Sequence, residues 1–124
     1  MSVIVTDTGF GTDDGAEWFD VAPDVDFAAL QGQIEGLTAI RVAFPAFNDG
    51  RGFTLAARLR RAGFTGRLRA AGHVIADQYA MARRSGFDEV EISETLAARQ
   101  PEAQWLARAD WQRHDYRAGL RRAG

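Results

Sequence analysis

The polar chemistry of this chain is concentrated in ten residues, FPAFNDGRGF from Phe44 to Phe53, where the apolar stretch TAIRVAF runs into Asn48, Asp49 and Arg51. Gly50 and Gly52 bracket the arginine, leaving the backbone on either side free to take a positive φ or to approach a ligand closely. A guanidinium fork at such a place suits a carboxylate, phosphate or sulfur oxyanion, with the amides of a following helix start assisting. The competing reading is structural: Asp49 caps the next helix and Arg51 is solvated.

A second group follows Arg69-Ala70-Ala71: Gly72, His73, Asp77 and Gln78. His73 and Asp77 stand four apart and would share a face on a helix, where a carboxylate could hold the imidazole as an acid–base pair or form an ordinary surface ion pair. A third group, Ser93, Glu94 and Thr95, has the composition of a helix cap. Neither His73 nor His114 has a metal-ligand spacing, so no metal is assigned. The early GFGTDDG lacks the third glycine of a dinucleotide fingerprint and is followed by acids, which would repel a pyrophosphate. No cofactor is named by the residues.

The elements that must position these groups are marked by a repeat. Gly36-Leu37-Thr38 precedes AIRV, Gly63-Phe64-Thr65 precedes GRLRA, and Gly86-Phe87-Asp88 precedes EVEI; RRAGF and RRSGF are one stop signal written twice. A glycine in the left-handed C′ position ends each helix, with arginines beside the negative end of its dipole. Before the stops, Phe27, Leu30, Ile34 and Leu37, then Leu55, Leu59 and Ala62, then Ile75, Tyr79 and Ala82 recur at helical spacing. The predicted fold class is α/β: a single domain over 1–124 with a mostly parallel sheet of four or five strands and helices packed on it. VIV and EWFDV are expected to form an N-terminal antiparallel pair, and residues 93–121 one or two C-terminal helices broken near Pro101. In such a sheet ligands sit beyond the carboxyl ends of the strands, which is where all three polar groups fall.

Composition narrows the chemistry. The chain of 124 residues is 46% hydrophobic with a net charge of −2, ordinary values for one globular domain. Without cysteine it has no disulfide, thiolate nucleophile or cysteine-ligated cluster, and without lysine no Schiff base or phosphate-loop lysine. No apolar run approaches the 18 or so residues of a membrane span and no signal-type start is present, so the cytoplasm is the expected compartment and no membrane partner is expected. Residues 1–40 carry eight acids and no arginine, whereas 41–84 carry nine arginines against Asp49 and Asp77. A chain at −2 with no reading element is a poor duplex binder, so nucleic acid is not the expected partner. Arg67 and Arg69 alternate on one strand and point to one face, which requires either an edge position or acidic partners.

The run from Ile40 to Ile92 resembles a bacterial domain-of-unknown-function family whose members are labelled as oxidoreductases involved in sulfite reduction. The resemblance is carried by Phe44, Pro45, Phe47, Asp49, Gly50, Arg51 and Gly52, then by Arg69, Ala70, Gly72, Asp77 and Gln78, with a weaker echo at Trp111-Gln112. Arg67 and His73 stand where acids are common in that family. The resemblance implies a place beside assimilatory sulfite reduction, with sulfite reductase as the implied partner and no catalytic mechanism. Lacking cysteine and a nucleotide fingerprint, the chain is expected to be an accessory or regulatory component. The alternatives are a small enzyme or anion-binding protein using Asn48, Asp49, Gly50, Arg51, Gly72, His73, Asp77 and Gln78, and an oligomerisation module built on Trp105, Leu106 and Trp111.

Overall fold

The structure, a computed structural model, describes residues 2–111. Alternation of apolar and charged residues builds one six-stranded sheet from β1 (Ser2–Thr6), β2 (Gly9–Gly11), β3 (Phe19–Val21), β4 (Ala39–Phe44), β5 (Arg67–Gly72) and β6 (Glu89–Ser93). The order is β2-β1-β6-β5-β4-β3. Strands β3 to β6 are parallel, and β1 pairs antiparallel with both β6 and β2. The α/β class and the N-terminal antiparallel pair are as expected; the partner is not. EWFDV does not pair with VIV: Phe19–Val21 lies at the opposite edge against Ile40–Val42, and the short Gly9–Gly11 strand takes its place. A tight turn after Thr6 brings β2 back at once, so the local hairpin outcompetes the distant pairing.

The connections are α1 (Phe27–Gln31) with a 3₁₀ turn at Ile34–Gly36, α2 (Arg51–Arg61), and a 3₁₀ turn at Ala76–Gln78 leading into α3 (Tyr79–Ser85). After β6 come α4 (Glu94–Arg99) and α5 (Glu102–Leu106), separated at Pro101 as the sequence suggests. The turns at Gly63 and Gly86 are left-handed, with φ of 101° and 117°. Both close with the same bond, from the amide of the following phenylalanine back to the helix: Phe64 N to Leu59 O and Phe87 N to Ala82 O, each 3.0 Å. Gly36 departs from this pattern. It ends a 3₁₀ turn without a positive φ, because the preceding α1 has already stopped at Gln31.

Side chains alternate across the sheet. Ile40, Val42 and Phe44 of β4, Leu68 and Ala70 of β5, and Val90 and Ile92 of β6 pack with Leu30, Leu55, Leu59, Tyr79 and Ala82 into one core. Trp105 of α5 joins it, 1% exposed, with its indole N–H on the Gln100 carbonyl at 2.9 Å and its ring edge-on to Tyr79. Trp105 is therefore a core residue and not part of an exposed oligomerisation surface. Among the described residues no helix is long and apolar enough to cross a membrane.

The opposite sheet face carries the charges. Arg69 on the central strand β5, 1% exposed, bonds Glu89 through Nε at 2.8 Å and Glu91 through Nη1 at 2.9 Å. Arg67 reaches Glu89 at 2.7 Å and Asp14 at 2.9 Å, and Arg41 holds Asp20 with a fork and Glu91 with Nη1. Acidic partners, rather than an edge position, are thus what the alternating arginines required. Residues 12–18 cross this face from β2 to β3. Five strand spacings are about 24 Å, and the chain from Gly11 to Phe19 reaches at most about 29 Å, so the strap has little slack. It sets Asp13 and Asp14 against Arg69 and Arg67 and lays the Trp18 ring over both guanidinium groups, 4.3 and 4.8 Å from the centroid.

Candidate functional site

Because β3, β4, β5 and β6 lie side by side in chain order, the sheet has no point where strand order reverses among its parallel strands, and the crevice expected from doubly wound folds is not formed there. The strand ends instead make two separate hollows on one rim.

The loop after β4 is mostly structural. Phe44 and Phe53 are buried with ring centroids 4.9 Å apart, and a Cβ on Gly52 would fall 2.5 Å from the Phe44 ring, so that glycine lets α2 settle on β4. Gly50 is the N-cap of α2 at φ −86°, without the positive φ anticipated for it, and Asn48 is exposed. Asp49 accepts the Arg51 amide at 3.2 Å and grips its guanidinium with both oxygens, from Nε at 2.9 Å and Nη2 at 2.7 Å. The fork and the amide bond hold the Asp49 carboxyl down at about 2, and the carboxylate in turn raises Arg51. The anion at this helix start is the chain's own Asp49. Arg51 lines a hollow of about 230 Å³ with Pro23, Val25, Thr54 and Arg58, away from His73.

The second hollow, about 280 Å³, is lined by Phe47, Gly72, His73, Ser93, Thr95, Leu96 and Arg99. Gly72 has φ 120° and sits so near the Phe44 carbonyl that a Cβ would lie 2.7 Å from it. This turn directs His73 onto the rim, with its Nδ1 3.2 Å from the Phe44 carbonyl oxygen and its ring edge-on to Phe47. Since a carbonyl only accepts, Nδ1 is assigned as the N–H donor, which leaves Nε2 uncommitted among the described residues.

His73 and Asp77 do not pair. His73 lies in the turn after β5, not on a helix, and Asp77 in the 3₁₀ turn is 73% exposed and bonded to Arg108 at 2.7 Å. Gln78 is a clamp: its amide donates to the Phe47 carbonyl at 2.8 Å and its oxygen accepts the Ile75 amide at 3.0 Å, holding the Phe47 wall of the pocket. Ser93 caps α4 by accepting the Leu96 amide at 3.1 Å. Of the residues expected at a ligand site, Gly72 and His73 line this pocket, Gln78 supports it, and Asn48, Asp49, Gly50, Arg51 and Asp77 lie outside its lining.

Arg99 was not among the candidates. It lines the pocket from α4 with no hydrogen bond or ion pair among the described residues. Its spacing of four from Thr95 was the available signal, since the two share a helix face directed at the strand ends. Among the described residues no group of three or more histidine, aspartate or glutamate side chains is placed to hold a metal ion; His114 and Gln112 lie outside them.

No curated protein and no solved structure matches the chain. A family model does, over residues 19–123, from β3 through the end of the described fold; β1, β2 and the acidic strap precede it. The chain belongs to that family, described as bacterial protein of unknown function (DUF934).

Proposed function

We propose that this protein is an accessory or regulatory component of assimilatory sulfite reduction, not the reductase itself, and that it binds a small oxyanion in the pocket between the β5 and β6 ends. The observation that carries the binding reading is the Arg99 guanidinium, without an ion pair among the described residues, in the same hollow as His73. Arg51, Arg60, Arg67, Arg69 and Arg41 are each bonded to carboxylates of the chain itself, so Arg99 is the pocket's available cation. A volume of about 280 Å³ suits a small anion better than a nucleotide-sized ligand. The pathway rests on the family resemblance, and the accessory role on the absence of cysteine ligands for a redox cluster.

Calorimetric titration with sulfite, sulfate and phosphate tests the site. Arg99→Ala should weaken binding at least tenfold while Arg51→Ala leaves it unchanged; the reverse pattern sinks the assignment. Deleting the gene should slow growth on sulfate or sulfite more than growth on cysteine. A second reading, a small enzyme, draws on His73, whose Nε2 has no hydrogen-bond partner among the described residues. Purified protein reducing sulfite with a simple electron donor and no partner would establish the enzyme instead.

A further inference from the structure

The twice-written stop signal divides its arginines by position. The first of each pair turns inward: Arg60 donates to the Phe64 carbonyl at 2.9 Å and Arg83 to the Phe87 carbonyl at 2.6 Å, the same bond four residues on. Arg60 also bonds the carbonyls of Gly66 and Gly86 and the Asp88 carboxylate, tying the ends of α2 and α3 together. The second of each pair, Arg61 and Arg84, is exposed. Both line a groove of about 650 Å³ between α2 and α3, with Ala57, Ser85 and Met81. Arg61 has no partner among the described residues, and Arg84 bonds only the Trp111 carbonyl, at 3.0 Å. Neither helix contains a carboxylate. Met81, 54% exposed, supplies an apolar side chain in the same groove.

From this arrangement we infer that the α2–α3 groove docks an acidic protein segment, an aliphatic side chain seated on Met81 and carboxylates meeting Arg61 and Arg84. An apolar centre with an arginine rim is the anatomy of a protein interface, and the charge sign selects the partner. The chain's own residues beyond Trp111 are the wrong occupant, since they carry Arg113, Arg117, Arg121 and Arg122 against Asp115. A second copy offers little: Asp7, Asp13, Asp14 and Asp20 already engage arginines of their own chain, and Glu17, Glu35 and Glu94, exposed and without an ion pair among the described residues, sit singly on separate segments. Nucleic acid would gain nothing from the thioether and would meet a chain at −2. This docking surface is distinct from the strand-end pocket and does not depend on the oxyanion reading.

The test places a photo-crosslinking benzophenone side chain at position 81 of the full chain in its native cells and sequences the crosslinked peptide. The expected product is a protein peptide with more Asp and Glu than Lys and Arg around the attachment point. Its yield should fall at least tenfold in the Arg61→Glu, Arg84→Glu double variant, whose melting temperature and sulfite titration are measured in parallel and should match the parent's. Adducts to another copy of this chain, to nucleic acid or to a basic peptide, a yield indifferent to the charge reversal, or no adduct at all, would each overturn the inference. Loss of docking with sulfite binding retained separates this surface from the pocket.

Discussion

Glu89 holds Arg69 with a single oxygen, 2.8 Å from Nε and 2.6 Å from Nη2, on neighbouring parallel strands at the centre of the sheet. Register pairs Arg69 with Arg41 on its other side, and the two like charges are tolerated because Glu91 bonds both, at 2.9 and 3.1 Å. Breaking a buried pair costs about 3–5 kcal/mol, and removing Glu89 leaves Arg69 to Glu91, which it shares with Arg41, and to the more distant Asp13. Glu89→Ala should therefore destabilise the protein by that order in urea unfolding. Arg69→Met combined with Glu89→Leu should recover most of the loss, and a double variant worse than either single one would contradict this account.

The two glycines around Arg51 should respond oppositely. Gly52→Ala drives a methyl into the Phe44 ring and should cost about 1–3 kcal/mol by thermal or chemical unfolding. Gly50→Ala meets nothing within 4 Å at an ordinary φ and should be close to neutral. Equal losses at both positions would show that the loop's geometry, not the helix–strand contact, sets the requirement.

Asp49 gives the fold an acid-sensitive contact. Its carboxyl, held at about 2 by Arg51, lies below the ordinary value of 3.8, so its contribution is present above about pH 4 and is lost as pH falls toward 2. Asp49→Asn should flatten this part of the acid-unfolding curve while lowering stability at pH 7. Circular dichroism against pH reads both effects, and an unchanged acid limb would remove Asp49 from the account.

Tyr79 should govern the alkaline limb. Burial pushes its hydroxyl far above the ordinary tyrosine value, and the bond it donates to the Asp7 carboxylate, 2.5 Å, adds to this. The folded state then holds the proton more tightly than the unfolded chain, so stability falls as pH rises beyond about 10. Phenolate absorbance from Tyr79 should appear only with unfolding, and Tyr79→Phe should remove that component at a cost of about 0.5–1.5 kcal/mol at neutral pH.

Local pattern alone carried the alternation of helix and strand, the helix stops at Gly63 and Gly86 and the break at Pro101, and it narrowed Arg67 and Arg69 to an edge position or acidic partners, between which the tertiary structure chose. These depend on periodicity and on the chemistry of a few adjacent residues, which a sequence displays. Pairing between distant segments is different: nothing near EWFDV states that it joins Ile40–Val42 at the far edge, or that residues 12–18 must then span the charged face. The candidate site was divided for the same reason. Asp49 and Arg51 looked available because their mutual fork is a matter of rotamers, and His73 looked like a helical partner of Asp77 because its turn at Gly72 is set by the Phe44 carbonyl on another strand. Arg99 reaches the pocket only because β6 lies beside β5, so the strand order, a product of long-range packing, decided which guanidinium stands beside His73 without an ion pair among the described residues.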